Sequence, residues 1–286
     1  MALLAYPNVS EGRDREVIDE IARAFGPGVL DVHCDPDHHR TAFTLTGRPG
    51  GLAVAVASGA ARAVELLTLS GHDGVHPRVG VVDVAAIVWT EPADRGAACA
   101  EALVLADRLG SELSLPVLLY GALGGGRTRA DLRRGGADAL TQRLARGELV
   151  PDFGPRRAHP TAGTTLVAAR PPLVAFNVEL AAGHTDADAR VIAARIREGG
   201  EEGLTGVRAI GVWLQTRGVA QVSMNIEDPL RTRPAAVLAA IARHATVVAA
   251  ELVGLAPAAA LADLPREIPL VGRATIEDAL TRPPTV

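Results

Sequence analysis

The sequence predicts an α/β (α+β) protein of two ferredoxin-like subdomains, over residues 1–169 and 170–286. Three observations lead there. Short apolar runs alternate with stretches of helical period along the whole chain. The second half reads strand, helix, strand, strand, helix, strand, which is the order of a split βαβ unit. The first half opens in the same order and adds a helix and a strand. Such an order places helices on one face of each sheet and leaves the other to meet a neighbour or a ligand.

The elements follow in turn. Residues 3–6 are a short apolar strand closed by Pro7. Asp14 can cap a helix over residues 15–25, with Val17, Ile18, Ile21 and Ala22 on one face. Residues 29–33 and 41–45 read as strands around the polar turn Asp35-Pro36-Asp37-His38-His39-Arg40. A small-residue helix (53–67), a β-rich run (79–89), an alanine-rich helix (95–109), a buried strand (116–120) and a glycine loop (121–126) come next. Arg170-Pro171-Pro172 marks the boundary, because consecutive prolines continue neither a helix nor a central strand. Beyond it lie a strand (173–180), a helix (186–198), and strands 207–215 and 219–226 about Thr216-Arg217-Gly218. A helix (234–244) and a strand (247–253) complete the unit. The tail from Pro257 carries little pattern beyond one further helix.

Composition excludes several classes. Hydrophobic residues are 48% of the 286, ample for a core, but aromatics are only 3%, so that core is Ala, Val, Leu and Ile. All 29 basic residues are arginine, so an anionic ligand must be held by guanidinium forks, backbone N–H groups or histidine. A net charge of −4 argues against nucleic acid. The arginines of residues 127–134 read as a solvated loop and helix start. Cys34 and Cys99 form no framework. No basic leader precedes the short apolar start, and no run reaches the roughly 18 apolar residues of a membrane span. A soluble cytoplasmic protein is expected.

Five of the eight histidines, His33, His38, His39, His72 and His76, fall before position 77. His72 and His76 have the spacing of a helical metal pair. Gly74 weakens a helix there, and Pro77 pushes His76 out of the α region, so no metal site is expected. A surface histidine in a polar turn is the ordinary explanation for His38, His39, His184 and His244. His76 differs: it sits in a Gly- and Pro-constrained turn ahead of an apolar strand, where a side chain can be aimed. General acid–base chemistry suits its pKa. Asp31, Asp35 and Asp37 stand in the neighbouring cluster and can orient an imidazole or hold a cation. A second candidate, Pro151 to Pro155 followed by His159 to Thr165, offers Gly-Pro turns that let backbone approach a ring or an anionic tail; an interdomain loop is its plainer explanation.

Eight segments, in order and spacing, resemble the formiminotransferase family: Pro7-Asn8-Val9-Ser10-Glu11-Gly12; Asp31-Val32 with His39-Arg40-Thr41; Gly74-Val75-His76-Pro77-Arg78-Val79-Gly80 with Asp83-Val84; Pro116 to Gly121; Pro151-Asp152-Phe153-Gly154-Pro155; Ala175-Phe176-Asn177-Val178; Ala220 to Asn225; and Glu251 to Leu255. The resemblance implies transfer of a formimino group from N-formimino-L-glutamate to N5 of tetrahydrofolate, the co-substrate, in histidine breakdown, with no metal. It implies two α/β subdomains whose sheets face each other across a folate channel, and a homodimer. A separate cyclodeaminase is expected to process the product. The family's catalytic histidine corresponds to His76, its folate-contacting loop to Gly154, Pro155, His159, Pro160, Thr161, Ala162 and Gly163, and an arginine of its second subdomain to Arg243. Arg40 and Arg78 are further candidates for the carboxylates. The family's acidic residue beside the histidine is replaced here by His33. Strand alternation puts Asp31 and Asp35 on the same face, so either can substitute. His39 also departs from the family's pattern. Formyl transfer from 5-formyltetrahydrofolate to glutamate or another amine, and a folate-binding module without catalysis, are the competing readings.

Overall fold

The structure, a computed structural model, describes residues 2–281. The chain forms two units that divide between Pro171 and Pro172, two residues beyond the expected boundary.

In the first unit the order is β1 (Leu3–Val9), α1 (Arg15–Phe25), β2 (Val29–Asp35), β3 (Arg40–Gly47), α2 (Leu52–Leu66), β4 (Val82–Val88), α3 (Arg95–Glu112), β5 (Val117–Leu119), α4 (Arg129–Arg133), α5 (Gly136–Ala145) and β6 (Thr165–Arg170). The sheet runs β2-β3-β1-β4-β6-β5. Its first four strands have the ferredoxin-like arrangement; β6 and β5 extend it in parallel beyond β4.

Alternation along the strands decides which residues meet the helices. Leu3, Ala5 and Val9 of β1, Phe43 and Leu45 of β3, Ala85 and Ile87 of β4, and Val167 and Ala169 of β6 pack with Ile18, Ile21, Phe25, Val56, Ala60, Leu105 and Leu109 of α1–α3. The opposite face therefore carries Tyr6, Asn8, Asp31, His33, Asp35, Arg40 and Arg170. Asp14 caps α1 by accepting from Glu16 and Val17 N–H, as its position predicts.

Three features differ from the sequence reading. The first strand does not stop at Pro7: it continues to Val9 at the centre of the sheet. Its pairing with β4 is unbroken there, whereas its register with β3 passes from Ala5↔Leu45 to Asn8↔Ala42, so the proline lies where that ladder lapses. β6, buried from Thr165 to Ala169, was not expected. A parallel strand buried on both faces lacks the alternation that marks an exposed one. Nor are residues 127–134 simply a solvated run. Thr128 and Asp131 form a capping box for α4, and Arg133 is directed inward, its side chain only 13% exposed.

The second unit has β7 (Val174–Leu180), α6 (Asp186–Ile196), β8 (Val207–Leu214), β9 (Val219–Ile226), α7 (Pro234–Ala242), β10 (Val247–Leu252), β11 (Leu270–Val271) and α8 (Ile276–Thr281). Its sheet, β11-β10-β7-β9-β8, contains the ferredoxin-like order with one short parallel strand added at the edge. Phe176, Val178, Val222, Met224, Ala250 and Leu252 pack under α6 and α7. No helix among the described residues is long and apolar enough to cross a membrane.

Candidate active site

The site of the first unit is built where three loops meet beside the ends of β1, β3 and β4. Gly12 lies against the Asp35–Arg40 turn so closely that a Cβ would stand 2.2 Å from the Asp35 carbonyl oxygen and 2.4 Å from Arg40 N. Val75 N–H donates to the Asp37 carbonyl at 3.1 Å, tying the turn to the His76 loop. His39, at the left-handed φ of 49°, accepts from Gly12 N–H through Nδ1 and stacks on His72 at 4.1 Å between ring centres. His72 bonds through Nε2 to the His39 carbonyl, at 2.9 Å. Burial, then the charge of Arg78, pushes its pKa down to about 4.

His72 and His76 do not share a helix; the segment between them is irregular. Among the described residues no group of three or more His, Cys, Asp and Glu side chains is arranged to hold a metal ion.

His76 is half-buried, and its Nδ1 lies 2.7 Å from the Pro77 carbonyl oxygen. A carbonyl only accepts, so Nδ1 carries the hydrogen and Nε2 keeps its lone pair. Burial, followed by the positive charges of Arg40 and Arg133 and by His38, holds the His76 pKa well below the ordinary histidine value. The ring is therefore neutral at neutral pH, the form a base requires. His38, itself buried, lies 5.8 Å from His76 between ring centres.

Asp83 organises the cations. The β1–β4 register moves from Asn8↔Val84 to Val9↔Val82, leaving Asp83 without a partner opposite, a bulge that re-aims its side chain. The fully buried carboxylate accepts from Val79 N–H at 2.8 Å, from Arg40 at 2.6 Å, and from Arg133. Arg40 also donates through Nε to Asn8 Oδ1 at 3.1 Å. Although burial opposes it, the two guanidiniums and the Val79 N–H hold the Asp83 carboxyl below the usual range. Farther along the same face Arg129 lies over the Tyr120 ring and Arg170 over the Tyr6 ring, at 5.7 and 5.4 Å.

The other expected site residues are placed as follows. Asp31, His33 and Asp35 share one face of β2, opposite Thr44, Ala42 and Arg40. Asp35 Oδ1 accepts from His38 N–H at 2.7 Å, so it orients the turn that carries His38. Burial raises the Asp31 pKa. Arg78 donates to the carbonyls of His72, Gly74 and His76, which makes it the brace of the histidine loop. The loop of Gly154, Pro155, His159, Pro160, Thr161, Ala162 and Gly163 joins that loop directly. Leu69 N–H donates to Thr161 O at 2.9 Å, Val81 N–H to Ala162 O at 2.8 Å, and Thr164 N–H to Val79 O at 2.9 Å. His159 Nδ1 accepts from Ala162 N–H at 3.1 Å, fixing the turn. Arg243 belongs to the second unit, at the end of α7, and pairs with Glu202 at 2.6 Å.

A cleft of about 580 Å³ opens beside His76, between Leu69–Arg78 on one wall and Gly135–Asp138 on the other. Small-molecule sites have volumes of roughly 300–1,000 Å³. Sequence reasoning gave no role to Asp83, Arg133 or Asp138. The Arg40 and Asp83 segments were visible as motifs; no local signal joins them to Arg133, 50 residues further on. A polar row in the second unit was likewise unassigned. Glu251, Asn177 and Ser223 are aligned across β10, β7 and β9, with Asn177 Nδ2 donating to Glu251 Oε2 at 3.0 Å.

Residues 2–170 match the formiminotransferase domain, N-terminal subdomain, and residues 175–266 match the formiminotransferase domain. The chain belongs to the formiminotransferase family. It is similar to the glutamate formimidoyltransferase of Streptococcus pyogenes serotype M1, 35% identical with 90% of each chain covered. It is also similar to that of Thermoplasma acidophilum, 31% identical with 90% and 89% covered. The formimidoyltransferase-cyclodeaminase of Sus scrofa is 38% identical over 90% of this chain and 50% of its own. The chain thus spans about half the length of that fused relative.

Proposed function

We propose that this protein is a glutamate formimidoyltransferase of histidine degradation, moving the formimino group between N-formimino-L-glutamate and N5 of tetrahydrofolate. The observation that carries the reading is the neutral His76 imidazole. Its Nδ1 hydrogen is engaged by Pro77, and two guanidiniums disfavour its protonation. In a family whose stand-alone relatives are named glutamate formimidoyltransferases, that ring is a proton carrier for amine exchange at a formimino carbon.

His76 Nε2 takes the proton released from N5 as the N5–carbon bond forms. It returns that proton to the glutamate nitrogen as the carbon–nitrogen bond to glutamate breaks, so the ring ends neutral, as it began. The formimino group is readily cationic, and Asp31 or Asp35 is proposed to stabilise it across the face that also carries Arg40. The Gly154–Gly163 loop is the proposed folate contact, held in place by glycines that let its backbone pack against Leu115 and Val79. At Gly163 a Cβ would stand 2.4 Å from the Val79 carbonyl oxygen, so the loop packs directly on the histidine segment. Arg40, Arg78 and Arg243 remain proposed contacts for the carboxylates. A homodimer in the cytoplasm, with a separate cyclodeaminase downstream, completes the reading.

The test is a coupled assay of the purified protein with tetrahydrofolate and formiminoglutamate, read through a cyclodeaminase. Turnover is expected, and its absence refutes the reaction. Replacing His76 by Ala should preserve folate binding and lower kcat about 10²–10⁴-fold, the usual worth of a positioned general acid–base; undiminished turnover removes His76 from the mechanism.

A further inference from the structure

We infer that Asp138, on the cleft wall across from His76, holds the cationic formimino group and so selects it over a formyl group of the same shape. The inference rests on the reading of His76 as the proton carrier and adds a specificity-determining residue to it.

The cleft has one acidic side chain. The other ionisable residues that line it are His72, His76 and Arg78, and the Arg78 guanidinium is taken up by the carbonyls of its own loop. Asp31 and Asp35 lie outside the lining, and Asp35 is engaged by His38 N–H. Asp138 is exposed, and among the described residues it neither accepts a hydrogen bond nor pairs with a cation. An acid in the first turn of a helix ordinarily serves the helix itself. Asp131 of α4 and Asp188 of α6 do so, each accepting from the backbone N–H of its capping threonine. Helix α5 begins instead on Gly135 and has no such bond, which leaves the Asp138 carboxylate to the cleft.

The wall that carries it is anchored. Arg133, at the end of α4, pairs with the buried Asp83, and Gly135 and Gly136, both at φ 79°, turn the chain directly into α5. The formimino carbon bears two nitrogens. As the nitrogen being exchanged meets His76, the other, an NH2 group, is directed away from that ring. It stays on the carbon while the bond to N5 forms and the bond to glutamate breaks, and His76 carries the one proton that moves. Asp138 gains and loses none: it accepts a hydrogen bond from the NH2 group and offsets its positive charge. A formyl group has oxygen at that place, with no hydrogen to donate and with negative charge building on it as N5 attacks. The same carboxylate repels it, so the discrimination has an attractive and a repulsive part.

The experiment uses the full chain, with N-formimino-L-glutamate as donor and N-formyl-L-glutamate, its neutral isostere, as inhibitor; calorimetry gives the affinity of both. Asp138→Asn should lower kcat/KM for the formimino donor about 10–100-fold, chiefly through KM, the worth of one charged hydrogen bond. Binding of the formyl compound should be unchanged or tighter, and Asp138→Glu should retain part of the preference. Thermal unfolding establishes that each variant is folded, and Asp138→Ala replaces the Asn variant if that protein does not fold. A folded variant with the wild-type kcat/KM and the wild-type ratio of affinities overturns the inference and leaves His76 and formimino transfer intact. Equal losses for the two compounds also overturn it, because shape and not charge is then being read. If wild type turns over no formimino donor, the proposed reaction fails on its own account. In that case an Asp138-dependent preference for binding the formimino compound still supports the cation site, and equal affinity for the two compounds overturns it.

Discussion

Replacing Asp83 by Asn isolates the charge that orders the site. The substitution preserves shape and can keep an acceptor for Val79 N–H, but it removes the negative charge and turns an amide donor toward two guanidinium donors. Removing one partner of a buried ion pair costs about 3–5 kcal/mol, because the remaining charge stays desolvated. That is a large part of the roughly 5–15 kcal/mol that stabilises a domain. At a urea dependence of about 2 kcal/mol/M, the unfolding midpoint should fall by about 1.5–2.5 M. Trp89 packs against the core of the unit that contains Asp83, and Trp213 against that of the second. They are the two tryptophans of the chain, so a Trp213→Phe background gives fluorescence from Trp89 alone. The pH dependence adds a signature. The Asp83 carboxyl is held below its usual value near 3.9, so its contribution is present at neutral pH and is lost as pH falls through the lower folded value. The difference between wild type and the Asn variant should persist to about pH 4 and close below it. A midpoint shift under about 0.5 M at pH 7 would refute the account of Asp83 as the counter-ion of both arginines.

Three further outcomes are expected. His39, His72 and His76 all have depressed pKa values, so the folded state takes up fewer protons than the unfolded one; stability should be full above about pH 6.5 and decline toward pH 4, and a flat melting temperature across that window would contradict the burial of this cluster. Gly12→Ala drives a Cβ into the backbone of Asp35 and Arg40, and by displacing the His38–Arg40 turn it should cost about 1–3 kcal/mol in thermal or urea unfolding and lower turnover as well; a fully stable and active Ala variant would show that the turn is not fixed there. Arg243→Ala breaks an exposed pair with Glu202, for which the expected stability change is below about 1 kcal/mol, so a raised KM in a normally stable variant measures contact with an anionic substrate, and an unchanged KM removes Arg243 from the site.

Much of this protein was legible locally, because local rules govern it. The Asp14 cap, the alternation that puts Asp31, His33 and Asp35 on one face, and the strand–helix order of the ferredoxin-like core of each unit follow from periodicity and capping. So does the absence of a helix joining His72 to His76, set by Gly74 and Pro77. His76 could be singled out because Gly and Pro constrain the backbone around it. The charges around it could not, since Arg40, Arg133 and His38 are brought to it by packing. Nothing local marks Asp83 as a bulge residue, because a bulge is a relation between two strands. Nothing marks Arg133 as buried within a run of arginines that a single sequence presents as solvated. Arg78, read from sequence as a candidate ligand contact, is engaged by the three carbonyls of its own loop, a role visible only once that loop is closed. Sequence alone determined the two-unit fold and singled out His76, through short-range periodicity and backbone restriction. Tertiary structure decided the charges around that histidine, because Arg40 and Arg133 meet at Asp83 across 43 and 50 residues of chain.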